Sequence, residues 1–481
     1  MDHCDRRRLS RSGAACSGNG RRAIEPRARV VQWIALVLLG VVGCAPSASP
    51  PMNAAPPSIL LVVCDTLRRD ALGAYGATAA SATRPGTPHI DDLATRAQRF
   101  DAAFSAAPWT LPSVAAILTG RPTREHGARN AGEGKLTGID PGLPTLAGIL
   151  GQAGYRTGAV VTNPYLAPSF GLGRGFDDYV HLREPGRGRK VRGDRIVDTA
   201  LDWLADGDDG PTFLLVHLFD PHMGYDPPGE LRPQWLADED DPDRALNLML
   251  RELWDRERSA SSPPEFRARV RELYDREVAF ADAQVGRLLA ALEQDGREWI
   301  VVFTSDHGEE FWDHGGFEHG HTLYDELVRV PLIIRWPANG ATPRGGPVRT
   351  DMARHIDLAP TLLAAAGVPP PPGMAGRDLA QVASAPHSGT ALVTNTLYGV
   401  ERRALISGGM KLIHSEDGTV ALFDLVADPR ERADLAEAKP ALVEALSAEL
   451  ERLSSGQRTA GAPVELDSDV VEELEALGYL R

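Results

Sequence analysis

The chain is poor in cysteine, and that shortage excludes a class of fold. Only four of its 481 residues are Cys, and three of them, Cys4, Cys16 and Cys44, lie within the first 44 positions. Cys64 alone remains in the body of the chain. One thiol cannot build a disulfide framework, so the fold must rest on a buried apolar core. Positive charge is also scarce. Lys and Arg number 51 against 66 Asp and Glu, a formal net charge of −15. Residues 1–43 hold eight Arg and three acids, a balance of +5, which leaves the remainder near −20. A surface of that sign argues against nucleic acid as a partner. It also gives an anionic ligand no help from overall charge, so local cations must draw one in. A long apolar run is missing near the N-terminus, where Val30 to Val42 is short for a membrane-spanning helix. With 43% hydrophobic residues, a chain of this length can still bury one large core and a smaller one.

What is present begins with an address. Arg-rich sequence to Arg29 precedes the apolar run, which ends in Val41-Val42-Gly43-Cys44 and resembles a bacterial lipobox. Residues 1–43 are expected to be a signal peptide, Cys44 the acylated residue, and residues 44–57 a Ser/Pro/Ala tether. An uncleaved anchor is the other reading of the same run. Both export the protein, so the expected location is the cell envelope, facing the periplasm or on the outer membrane, with the lipid as membrane anchor.

Ser58–Cys64, Thr212–Leu218 and Trp299–Thr304 are near-continuous apolar runs of strand length, suited to parallel strands buried on both faces. Thr157–Val161 reads as a further strand. Each run is followed by residues able to do chemistry: Asp65, Asn163, Asp220-Pro221-His222 and Asp306-His307. Open α/β sheets place ligands at the carboxyl ends of their strands. Helices are expected over 89–100, 143–154, 194–204 and 265–292, and residues 229–264 read as a surface insertion. His217, inside its strand, reads as a core histidine.

The stretch APWTLPSVAAILTGR, Ala107 to Arg121, carries a helix signature. Pro112 sits in the first turn, where its missing N–H costs nothing, and Gly120 closes the run. Thr110 therefore stands at the mouth of a short helix. It is either a simple N-cap or a hydroxyl beside an anion site. A second stretch, TSDHGEEFWDHGGFEHGHTLYDELVRVPLIIRWP from Thr304, adds His314, His319 and His321 to the Asp306-His307 pair.

Together the two stretches resemble the sulfatase family of the alkaline-phosphatase superfamily, from about Ser58 to the C-terminus. Asp220-Pro221-His222, the LGAYG of Leu72–Gly76, LFDLVADPRERADLA from Leu422 and the terminal Leu474–Leu480 continue the likeness. The resemblance implies an α/β fold with a mixed, mostly parallel sheet flanked by helices over residues 58–372. A smaller antiparallel sheet with a helix is expected over 388–481. It implies a divalent cation (Ca, Mg, Mn or Zn) on Asp65, Thr110, Asp306 and His307, with a second ion left open. His222, His319, His321 and Asn163 are the implied catalytic partners of Thr110.

In sulfatases the frame at Thr110 reads C-x-P-S-R, and the Cys or Ser becomes formylglycine. Here it reads Thr110-Leu111-Pro112-Ser113-Val114. The Thr form resembles superfamily phosphodiesterases, phosphonate hydrolases and headgroup transferases, in which an unmodified Thr attacks phosphorus. A phosphoester or phosphonate of a small molecule, glycan or lipid headgroup is therefore the favoured substrate. A sulfuric ester hydrolase working without formylglycine and a silent anion-binding protein are the alternatives.

Overall fold

The computed structural model describes residues 55–77, 85–132, 135–184, 190–254, 261–338, 347–382, 385–394, 396–455, 458–477 and 479. The expected leader, Cys44 and most of the tether lie outside them.

A nine-stranded sheet organises the chain: β1 (Ser58–Cys64), β2 (Gln98–Phe104), β3 (Arg156–Val161), β4 (Asp178–His181), β5 (Thr212–Leu218), β6 (Trp299–Ser305), β7 (Arg329–Val330), β8 (Leu332–Arg335) and β9 (Val348–Arg354). Its centre runs β8-β6-β1-β5-β3-β4, and β2 joins it through β7 and β8 and carries β9 on its other side. The strands β6, β1, β5, β3 and β4 pair in parallel, and β8 runs against both β6 and β2. Every residue of β1, β5 and β6 is buried. Both faces of these strands are covered, which is why they read as apolar runs rather than alternations.

Alternate side chains feed two cores. Ile59, Leu61, Val63, Phe213 and Leu215 face α2 (Thr110–Thr119), α3 (Leu146–Gln152) and α6 (His355–Ala365). Leu60, Val62, Leu214 and Val216 face α1 (Pro88–Thr95), α4 (Gly193–Ala205) and the long α5 (Pro264–Asp295).

Two expectations are corrected. The helix expected to reach Phe100 ends at Thr95, and Gln98 onward forms β2. The alternation of Gln98, Phe100 and Ala103–Phe104 as buried residues wins over the helical spacing of the small residues before it. Strand β9 was not expected. Its residues Arg349 and Asp351 are buried as an ion pair at 2.8 Å, which masks the strand pattern.

Beyond the large sheet, β10 (Thr390–Thr394), β11 (Arg402–Ser407), β12 (Met410–Ser415) and β13 (Val420–Asp424) form an antiparallel meander. One face, with Val393, Ala404, Ile406 and Phe423, packs on Phe104, Leu327 and Met352 of the large unit. The other carries α7 (Pro440–Ser454) over Leu405, Leu412 and Leu422. Lys411 is buried between Asp325 at 3.0 Å and Glu431 at 2.9 Å and ties the two sheets together. The chain then returns to the first core through α8 (Ser468–Ala476) and Tyr479.

Candidate active site

Four neighbouring strands deliver their next residues to one place: Asp65 after β1, Asn163 after β3, His222 after β5 and the Asp306-His307 pair after β6. Thr110 reaches the same place from the first turn of α2. Trp109, in an extended conformation, is the N-cap, and no side chain caps this helix. The Thr110 hydroxyl is thus not spent as a cap. It lies 3.4 Å from His307 Nε2 and accepts a hydrogen bond of 3.2 Å from Asn163 Nδ2.

Asn163 does two jobs. Its Oδ1 accepts from Tyr165 N at 2.8 Å, capping the turn at Pro164–Leu166. That contact orients the amide, so Nδ2 donates to Asp65 Oδ2 at 2.6 Å as well as to Thr110.

Asp306 is held on one edge only. Its Oδ1 accepts from the backbone N–H groups of His307 at 2.9 Å and Thr66 at 3.2 Å. Thr66 has a φ of 54°, a rare conformation for a β-branched residue. Tyr274 holds it there, donating to Thr66 O at 3.0 Å and accepting from Arg68 N at 2.7 Å. The other oxygen, Asp306 Oδ2, is buried without a hydrogen-bond partner, and so is Asp65 Oδ1. His307 donates Nδ1–H to Gly308 O at 2.9 Å, which leaves the Nε2 lone pair facing Asp306 Oδ2 at 3.4 Å and Asp65 Oδ1 at 3.7 Å.

His217 was expected to be a core histidine and proves to belong to this cluster. Its Nε2 lies 3.8 Å from Asp65 Oδ2 and 4.0 Å from Asp306 Oδ2, and neither ring nitrogen has a hydrogen-bond partner among the described residues. Ligand atoms of Asp65, His217 and Asp306 all fall within 4.8 Å of one another. Two orphaned carboxylate oxygens and two aimed imidazoles, beside a hydroxyl, fit a divalent cation. The electrostatics agree. Burial, then the Asp306 charge, pushes the Asp65 carboxyl well above its usual range, against the pull of Asn163. Asp306 is also penalised by burial, but His307 and His217 outweigh this and hold it low.

A second group of rings lies alongside. His222 Nδ1 contacts Met223 O at 3.1 Å, and Lys190 donates to His222 O at 3.2 Å. His319 Nδ1 pairs with Glu309 Oε1 at 2.8 Å, and its ring stands 4.5 Å from that of His307. Burial, then His319, keeps His222 neutral, and burial pushes Glu309 up to about 8. Both Nε2 atoms meet the hydroxyl of Tyr479, a residue that sequence reasoning had placed only within a terminal motif.

His321 is placed differently. Its Nε2 pairs with Glu310 Oε2 at 2.8 Å, as His314 Nδ1 pairs with Glu326 at 2.6 Å. Asp220 is engaged by Gly193 N at 2.6 Å and Lys190 at 3.2 Å rather than by the histidines. Arg68 joins β1 to the loop after β6, through Asp313 at 2.6 Å and Glu309 O at 3.0 Å. For His217 a signal existed in the sequence: counting by two along β5 puts it on the Phe213–Leu215 face, the side covered by α2.

Comparison with known proteins gives the family. A family model described as Sulfatase matches residues 57–368, and one described as N-sulphoglucosamine sulphohydrolase, C-terminal, matches residues 312–456. The arylsulfatase of Clostridium perfringens is 24% identical over 450 residues, spanning 79% of this chain and 90% of that protein. The N-acetylglucosamine-6-O-sulfatase of Bacteroides thetaiotaomicron is 24% identical over 477 residues, 78% of this chain and 82% of that one. The solved phosphonate monoester hydrolase of Agrobacterium radiobacter matches in fold with a TM-score of 0.66 at 20% identity, over 83% of this chain and 95% of that chain. A family match over well more than half the sequence, on an alkaline-phosphatase-like sheet, makes this chain a member of the sulfatase family of ester hydrolases.

Proposed function

We propose that the protein cleaves phosphate or phosphonate esters, with the Thr110 hydroxyl as nucleophile. The substrate would be an anionic ester of a small molecule, a glycan or a lipid headgroup, and water or a second alcohol the acceptor. The observation that carries this reading is the Thr110 hydroxyl itself, free of any capping role and set between Asn163 Nδ2 and His307 Nε2. Sulfuryl chemistry in this family uses an aldehyde hydrate. Thr carries a methyl on the carbinol carbon, so oxidation there would give a ketone and no such hydrate. An alkoxide attacking phosphorus needs only a lowered hydroxyl pKa.

Asp65, Asp306, His307 and Thr110 would hold a divalent cation, with His217 beside them. When bound, it supplies Lewis-acid charge that lowers the hydroxyl pKa and offsets the substrate's negative charge. Thr110 Oγ1, its proton lost to solvent water, would bond to phosphorus as the bond to the alcohol oxygen breaks, and the alcohol would depart with a proton. As Thr110 Oγ1 is spent on phosphorus, the Asn163 N–H that it had accepted would turn to a non-bridging oxygen. His319 Nε2 stands to give the departing oxygen its proton, and the neutral His222 Nε2 stands to accept a hydrogen bond beside it. Water afterwards releases phosphate from the phosphothreonine.

The test is a panel of aryl sulfate, phosphate monoester, phosphate diester and phosphonate, each with Ca, Mg, Mn and Zn. Turnover is expected on a phosphorus ester, with a fall of at least about 1,000-fold in Thr110→Ala. Mass spectrometry should find Thr110 unmodified or phosphorylated. Substantial aryl sulfate turnover with Thr110 unmodified would overturn the phosphorus reading and leave the family intact.

The same reading places the protein in the cell envelope as a lipoprotein anchored at Cys44. Cys44→Ser should then accumulate as unprocessed precursor. A variant that matures and partitions with membranes like the wild type would exclude the anchor.

A further inference from the structure

We infer that Tyr479 is a positioning residue of the ester site, its phenol oxygen fixing the rings of His222 and His319 by bonding Nε2 of each. This rests on the reading that these two histidines serve the departing oxygen.

The accounting of ring nitrogens carries the argument. His222 spends Nδ1 on Met223 O at 3.1 Å, and His319 spends Nδ1 on Glu309 Oε1 at 2.8 Å. Each ring keeps one nitrogen for the site, and both meet the same hydroxyl. His222 Nε2 is in short contact with it, and His319 Nε2 lies at 3.2 Å. A hydroxyl can donate to one nitrogen and accept from the other. The Met223 carbonyl can only accept, so a neutral His222 carries its proton on Nδ1 and its Nε2 accepts from the phenol; the phenol oxygen then accepts from His319 Nε2, and one hydroxyl fixes the direction of both contacts.

The tyrosine is itself held from both sides. Its ring lies 4.7 Å from that of Tyr165, whose own ring lies 5.1 Å from Trp109, the residue before Thr110. Its N–H donates to Leu474 O at 2.8 Å. Helix α8 brings it in, anchored by Val470 and Leu474 in the first core and by Arg183 against Asp469 and Glu473, both at 3.4 Å. On the far side the histidine rings lead back to the nucleophile, the His319 ring tilted 4.5 Å from that of His307 and His307 contacting Thr110. A phenol buried only to fill space would turn its oxygen toward solvent or backbone. This one turns it onto two reactive rings.

Tyr479→Phe keeps the ring and removes the oxygen. In the full-length protein we expect kcat on the best phosphorus ester to fall by about 10- to 100-fold, the usual cost of a misplaced catalytic group, with KM within about 3-fold. Histidine 15N spectra should show the Nε2 signals of His222 and His319 moving, while Thr110→Ala leaves them in place. The spectra decide the role of Tyr479 even if no ester is turned over, in which case the proposed function fails separately. Unchanged kcat with unmoved ring signals would overturn the inference. Faster turnover, together with tighter binding of inorganic phosphate, would also overturn it, because the tyrosine would then be an obstruction.

Discussion

Asp65 and Asp306 are costly residues to bury, and their cost explains what the site is built to hold. Each is fully buried and each leaves one oxygen without a hydrogen bond. Two carboxylates this close cannot both ionise without a cation between them, so Asp65 is pushed toward its protonated form while Asp306 stays charged beside His307 and His217. A bound dication, as proposed, would remove the conflict and would then bind the folded state far better than the unfolded chain. Metal at 100 times its dissociation constant should therefore raise stability by about 2.7 kcal/mol, and a chelator should lower Tm correspondingly. Asp306→Asn should abolish that metal dependence. His217→Ala should weaken metal affinity by about 10- to 100-fold in a direct titration. Unchanged affinity would return His217 to the role of a core histidine. Asp65, Asn163, Asp306 and His307 could be found from sequence because each follows a recognisable strand. His217 was hidden because a polar residue within an apolar run looks like tolerated core. Tyr479 was hidden because nothing local connects it to residues 257 and 160 positions away.

The loop after β6 has to hold Asp306, His307 and Glu309 in one turn, and its hold comes from close backbone approach. Gly308 N–H donates to Leu327 O at 2.8 Å, and a Cβ on Gly308 would lie 1.9 Å from Glu326 O. That neighbour is backbone in the short helix Asp325–Val328, which Lys411 pins through Asp325, so it cannot simply move aside. Gly308→Ala should cost about 1–3 kcal/mol by denaturant unfolding, as overpacking does, and should lower metal content at the same time. Normal metal content with normal stability would show the loop to be more yielding than its packing implies. At this scale the sequence was readable wherever one pattern acted alone. The strands β1, β5 and β6 lie within a residue of where their apolar runs put them. Strands β2 and β9 escaped because Arg349 and Asp351 satisfy each other inside the sheet, and because β2 starts only three residues after a helix ends.

Across the whole molecule, buried histidines set the acid limit of both fold and site. Burial lowers His126 to about 3, and His181 and His355 to about 4. Each is tied to backbone as a neutral ring. His126 Nδ1 accepts from Ala128 N at 3.1 Å, His181 donates Nε2–H to Asn163 O at 3.1 Å, and His355 donates Nε2–H to Ser305 O at 3.0 Å. The last two carbonyls belong to Asn163 and to the residue before Asp306, so these rings support the site as well as the core. The sign follows from proton counting. Between the unfolded pKa near 6.5 and the folded values, the unfolded chain binds protons that the native state refuses. Their stabilisation is complete above pH 6.5 and is lost as pH falls toward 4. Each such ring contributes a slope of up to about 1.4 kcal/mol per pH unit in that window. His126 has the lowest value of the three, so it is the ring to test. Denaturant unfolding of His126→Asn between pH 4 and 7 should show a slope flatter by about one proton than the wild type. Parallel slopes in the two proteins would mean that His126 charges without cost in the folded state, and that acid lability arises elsewhere.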